Sequence, residues 1–336
     1  MLDKELYFKI KWLIARNELA SKRRRGGFEY QKPKDERIIS IHQRASGVHL
    51  GLRAVQTKNI LNWMDSIDIN LNDINQYEFD FDNSLIPDIG INLNEFKCYP
   101  LSTTVHTALE FINRHKNRRP IIFENDFWYF QEIIGTHITN LDSIAKNDVL
   151  IISVPFFEDF RVKQNMDDIL ARCCELDVPV MLDLVWLPLI ENITALKNTD
   201  CVEVFTQSMT KVLPMSGIKG GFCFWRQPVL ERNNLYPLGN NVGFYITKRY
   251  LAEFGYYHVR DSLRASQKEW CEILKLDYHS LVVAAGIPDG HFLYDQSLHS
   301  HRIPNTKIFN LVPYYENNTS IKKLLSDNNL VDKNDN

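Results

Sequence analysis

Short, almost purely apolar runs recur along the middle of the chain: Cys98 to Leu101, Pro120 to Phe123, Val149 to Val154, Val178 to Leu182, Val202 to Phe205 and Phe222 to Trp225. Runs of this length without polar alternation predict strands buried on both faces. Between several of them the period changes. Val105 to Ile112 and Met166 to Leu176 read as helices, the second with Ile169, Leu170 and Cys173 on its inner face and with Asn165 and Asp168 as a variant of the capping box. Alternation of strand and helix predicts an α/β fold: a mostly parallel sheet with helices on both faces.

The flanks read differently. Leu6, Ile10, Leu13 and Ile14 share one face of an amphipathic helix, and residues 1–44 form an arm that belongs with a smaller domain. A helix is expected from Gln56 to Trp63, followed by an Asn- and Asp-rich stretch, 65–94, that punctuates like loops. Beyond Trp225 the pattern is helical from Phe244 to about Leu276. A small α/β C-terminal domain follows, with strands at Phe292 to Tyr294 and Ile308 to Val312, and the Asn-, Asp- and Lys-rich end is expected to fray. The division is therefore an arm over 1–44, a large domain over 45–240 and a small domain over 241–336.

Composition narrows the function classes. At 336 residues, 44% apolar, the chain can bury a substantial core. A net charge of −3 gives no reason to expect nucleic acid as a partner, and the one basic run, Lys22 to Arg25, reads first as a solvated face. No apolar window approaches the roughly 18 residues of a membrane span, and charges interrupt the first twenty or so residues, so a cytoplasmic protein is expected. The six cysteines have no framework spacing and read as small buried hydrophobes. The pair His299 and His301 has no Cys or carboxylate companion, so no metal site is expected. No Gly-x-Gly-x-x-Gly follows a strand, which leaves a dinucleotide site unsupported.

The chemistry gathers around FTQSMTKVLPMSGIKGGFCFW, residues 205–225. Lys211 falls on the turn between two buried strands, three residues after Ser208 and ahead of Lys219, Gly220 and Gly221. Alone, such a lysine is a solvated loop residue or a working amine. Upstream, Val178 to Leu182 ends on Asp183, where an open α/β sheet presents residues to ligands, and Trp186 follows three residues later. Ser102, Thr103 and Thr104 sit at the start of the Val105 helix, where they can cap it or, with its free N–H groups, receive a phosphate.

The set Asp183, Trp186, Ser208, Lys211, Lys219 and Gly221 resembles the fold type I pyridoxal-phosphate enzymes, and among them the class I/II aminotransferases. That family carries Asp-x-x-Tyr at a strand end, then Ser-x-x-Lys, then Arg-x-Gly. The resemblance implies that Lys211 forms a Schiff base with the cofactor aldehyde, that Asp183 keeps the pyridine nitrogen protonated, and that Ser102, Thr103, Thr104, Ser208 and Lys219 surround the phosphate. It also implies that Phe127 or Trp128 stacks on the cofactor ring and that the protein is a homodimer acting on a small amino-bearing substrate. Three departures stand out. Trp186 replaces the tyrosine, Lys219 replaces the arginine and loses its bidentate fork, and Pro155 is preceded by Val154 where the family has asparagine.

The implied activity is amino-group transfer. Other pyridoxal-phosphate chemistry on the same scaffold, such as decarboxylation, elimination or condensation, stays open, as does a non-catalytic descendant kept as a binding or regulatory module. A sugar-modifying aminotransferase is a further rival. The family's carboxylate-binding arginine has no counterpart on the Ile308 to Val312 strand, which offers Asn310. Arg302 is the nearest alternative. A substrate other than a simple free α-amino acid is therefore expected.

Overall fold

The computed structural model describes residues 81–101, 103–191, 193–212, 220–227, 241–291 and 308–311. The two helices expected before residue 65, the strand expected at Phe292 to Tyr294, and the residues Ser102, Lys219, His299, His301 and Arg302 lie outside them.

Each apolar run with described residues lies in a strand. β1 (Lys97–Pro100), β2 (Arg119–Phe123), β3 (His137–Ile138), β4 (Asp148–Ser153), β5 (Val180–Asp183), β6 (Val202–Ser208) and β7 (Gly221–Trp225) form a seven-stranded sheet in the order β1-β7-β6-β5-β4-β2-β3. β3, β2, β4, β5 and β6 are parallel, whereas β7 runs antiparallel to both β6 and β1. Two reversals restore direction, so β1 points the same way as β6. The carboxyl ends of β1, β2, β4, β5 and β6 therefore share one edge with the amino end of β7. This is the expected α/β architecture, with a mixed sheet covered by helices.

Among the described residues, helices α1 (Thr104–Arg114), α2 (Trp128–Ile134), α3 (Met166–Glu175) and α4 (Asn241–Phe254) belong to this unit. The period of two along the strands sorts the core into two faces. On one, Tyr99, Ile122, Val149, Ile151, Met181, Val204, Cys223 and Trp225 pack with Ala108 and Phe111 of α1 and Phe130 and Ile134 of α2. On the other, Phe205 stacks on Phe224 at 4.7 Å, and Phe81 meets Phe222, Phe224 and Phe244 of α4. α1 is opened by Thr103, whose extended backbone lets its hydroxyl oxygen accept the His106 N–H at 3.0 Å. The capping box expected at α3 does not form. Asn165 is at the cap position, but its backbone is not extended and its side chain makes no capping hydrogen bond.

Among the described residues one compact unit runs to Ser262 and a second begins at Leu263. Phe244 of α4 packs against Phe81 within the first of these units. The helix α5 (His258–Leu274) carries the chain across that boundary. In the second unit β8 (Asp277–Tyr278), β9 (Ala284–Gly286) and β10 (Ile308–Asn310) form an antiparallel sheet. The buried Gln267 amide nitrogen there lies within hydrogen-bond reach of the His279, Leu281 and Ala284 carbonyls.

Candidate active site

Counting two residues on from Ile151, Met181 and Val204 puts Ser153, Asp183 and Thr206 on the same face as α1, at the carboxyl edge. The ladder confirms their alignment: Ser153 is in register with Asp183, and Asp183 with Thr206. Asp183 is only 3% exposed. Its Oδ1 accepts the Thr206 hydroxyl at 3.0 Å and the Val185 N–H at 3.3 Å, and among the described residues Oδ2 takes no donor. Burial, with Asp126 adding like charge, pushes its pKa up to about 7 against the pull of the Thr206 hydroxyl and the Val185 N–H.

Asp126, which follows β2, went unnoticed in the sequence as a site residue. Its Oδ2 accepts the Ser153 N–H at 2.9 Å and its Oδ1 the Phe127 N–H at 2.7 Å, tying α2's first residues to the end of β4. Burial raises its pKa to about 6, opposed by these donors and by Lys163. The buried Ser153 hydroxyl lies beside Asp126 and helps hold that pKa down, although no hydrogen bond of good geometry joins them. The Lys163 ammonium lies 3.6 Å from the centre of the Phe156 ring and 5.3 Å from that of Phe123.

The Lys211 turn follows directly on β6. Ser208 pairs with Gly221, and the Met209 N–H donates to the Gly220 carbonyl at 3.0 Å, so Lys211 lies two residues beyond the last rung of the ladder. It is half-buried. The Ser208 hydroxyl is 2.9 Å from that of Thr210. Gly221 is explained by packing: a Cβ there would come within 2.5 Å of the Gln207 carbonyl oxygen on β6. The Gly221 carbonyl accepts the Leu101 N–H at 3.2 Å, which brings the chain just ahead of α1 beside the end of the β6–β7 ladder.

The edge thus assembles Asp183 and Ser208, the Lys211 turn and the amino end of α1. There the Thr104 and Val105 N–H groups have no hydrogen-bond partner among the described residues. Phe127 stands at the start of α2 with its ring 5.2 Å from Phe130 and 5.4 Å from Phe157. Trp186 is buried with its ring edge-on to Phe160 at 5.5 Å, which spends its indole on packing. Thr103 uses its hydroxyl as the helix cap. Thr206 was also missed in the sequence, because it follows the Val202 to Phe205 run as the first of three polar residues, Thr206-Gln207-Ser208.

No protein-family model matches the chain, and no curated protein matches it in sequence. Its fold does have counterparts among solved structures. A pyridoxal-phosphate-bound C–S lyase from Staphylococcus hominis superimposes with a TM-score of 0.52 at 10% identity, over 82% of this chain and 88% of that one. A pyridoxal-phosphate-dependent aminotransferase from Streptococcus suis does so with a TM-score of 0.52 at 9% identity, over 88% of this chain and 98% of that one. The chain has the fold of the type I pyridoxal-phosphate-dependent enzymes.

Proposed function

We propose that the protein binds pyridoxal phosphate through Lys211 and uses it to transfer an amino group between an amino-bearing small molecule and a keto acid or aldehyde. The observation that carries this reading is Asp183. A carboxylate buried this deeply, with one oxygen unclaimed by any described donor and no described cation bonded to it, is costly. A protonated pyridine nitrogen is the partner that would relieve it.

The surrounding residues fit the rest of the cofactor. The Thr104 and Val105 N–H groups at the positive end of α1, with the Ser208 hydroxyl nearby, suit a phosphate. Lys211, on the turn three residues after Ser208, would hold the aldehyde carbon. When bound, the cofactor supplies an electron sink for a carbanion at the substrate carbon. The chain's own contribution is to keep the ring nitrogen protonated through Asp183, to hold that carboxylate's orientation with Thr206 and Val185, and to move a proton on and off the substrate carbon with Lys211. Amino transfer, elimination and decarboxylation share this machinery and differ in which substrate bond is aligned with the ring. The two superimposed structures, a lyase and an aminotransferase, fit the fold equally.

The reading extends to a homodimer, as the resemblance implies, and to a substrate held without the usual arginine. The test is borohydride reduction of the protein mixed with pyridoxal phosphate, followed by peptide mapping. The pyridoxyl group is expected on Lys211, and Lys211→Ala is expected to lose both the label and all turnover. A label on another lysine, or none with cofactor in excess, overturns the proposal. Light scattering of the loaded protein is expected to give the mass of a dimer, and a catalytically active monomer refutes that part alone.

A further inference from the structure

The resemblance that singles out Asp183 assigns nothing to Asp126, yet the two are buried neighbours. Asp126 hydrogen-bonds through Oδ2 to the backbone of Ser153, the residue paired with Asp183 across the β4–β5 ladder. Through Oδ1 it holds the Phe127 N–H. One side chain therefore joins the strand end beside Asp183 to the residue at which the aromatic wall of the site begins. Simple turn capping needs only one of these bonds, and it needs no burial. Asp126 is 1% exposed and has no hydrogen-bonded cation among the described residues.

We propose that Asp126 is a positioning residue of the cofactor cradle: a second carboxylate behind Asp183 that strengthens the hold on a protonated ring nitrogen, and the anchor that fixes Phe127 beside the ring. This rests on the pyridoxal-phosphate reading of the site. The electrostatic logic has two sides. Without a cation in the site the two carboxylates oppose each other's ionisation, and Asp126 keeps Asp183 protonated to higher pH than burial alone would. With a pyridinium in place, both negative charges attract it across a low-dielectric interior. The described charges bearing on Asp126 are Lys163, which favours its ionised form, and Asp183. Lys163 rests on the Phe156 and Phe123 rings rather than in an ion pair with Asp126. It moderates the pair without neutralising it.

The experiment is a titration of the purified protein with pyridoxal phosphate between about pH 5 and pH 8, followed by absorbance, for wild type, Asp126→Asn and Asp126→Glu. In the asparagine variant affinity at pH 8 is expected to fall about tenfold, because one attracting charge is gone. The acid limb of binding is expected to move to lower pH, because Asp183 loses its like-charged neighbour. Asp126→Glu keeps the charge and should leave the limb in place. Weaker binding with an unmoved limb makes Asp126 a structural tie only and overturns the proposal, as does wild-type behaviour of the asparagine variant. Should the variants not fold, wild type is titrated with pyridoxal phosphate and with its analogue carrying carbon in place of the ring nitrogen. The affinity ratio of the two should rise with pH through two ionisations, and a rise through one alone counts against Asp126. Failure of wild type to bind the cofactor at all sinks both this inference and the functional reading, whereas binding with an unresponsive Asp126 sinks only the inference.

Discussion

Two buried aspartates at opposite edges of the same sheet are satisfied to different degrees by the chain around them. Asp148 opens β4 at the amino edge and is 1% exposed. Arg119 forks onto it, Nε to Oδ1 at 2.7 Å and Nη2 to Oδ2 at 2.9 Å, and the Ala145 N–H adds a third bond at 2.8 Å. Both of its oxygens are used, by a cation and a backbone donor. Asp183 closes β5 at the carboxyl edge, equally buried, with neutral donors on one oxygen only and a second carboxylate for a neighbour. The fold satisfies the first within its own chain; on the proposed reading the second is completed by the cofactor.

The largest effect that can break this contrast is expected at Asp183. Asp183→Asn removes the charge that stabilises a protonated ring, and turnover should drop by about 10²–10³-fold or more while attachment at Lys211 persists. Near-full turnover would place the counter-charge elsewhere. The same substitution should stabilise the cofactor-free protein. Because folding raises the Asp183 pKa to about 7, the folded state holds more protons than the unfolded chain from about pH 4 upward. Stability therefore falls as pH rises through this window, and the loss is complete above about pH 7. At pH 8 the cofactor-free asparagine variant should be the more stable by up to about 4 kcal/mol, with a flatter dependence of melting temperature on pH. A variant less stable than wild type at every pH would mean that the carboxylate is a structural asset after all.

At the other edge the sign reverses. Arg119→Ala should destabilise by about 2 kcal/mol, because it strands Asp148, and the figure sits below that for a fully buried pair because Arg119 is 49% exposed. Cofactor affinity should be unchanged, and a parallel loss of affinity would show that the two edges are not independent. The smallest effect is expected for Thr206→Val. Loss of one hydrogen bond to Asp183 should weaken cofactor binding by about 1 kcal/mol and, since that hydroxyl lowers the Asp183 pKa, move the acid limb of binding upward. A downward move would show that the hydroxyl favours the protonated acid.

The strands were legible because both sheet faces are covered, so apolar runs such as Val149 to Val154 carry no polar alternation to confuse them. Asp183 was legible as a strand-end polar residue after such a run, and Lys211 as an amine between two of them. Asp126 was not, because Glu124-Asn125-Asp126 reads as ordinary turn punctuation, and only its pairing with the Ser153 N–H across the sheet distinguishes it. Thr206 was hidden because Thr206-Gln207-Ser208 reads as the polar end of the Val202 to Phe205 run, whereas the strand continues through Ser208. The Asn165 cap failed because residue type specifies a capping preference, whereas the bond requires a backbone geometry that the preceding Lys163 turn does not provide.

The reversed strand β7 has an evolutionary consequence. Because it runs against β6, the chain leaves the sheet after Ser208 and returns at Gly221 on the same edge, and the Met209–Gly220 hydrogen bond closes the gap. Closing a loop of twice the length between such fixed ends adds only about 0.6 kcal/mol of entropy. Insertions between residues 212 and 220 can therefore be sampled without shifting a single rung of the sheet. Lineages sharing this topology are free to vary the length of that segment while the residue at position 211 stays two residues from Met209.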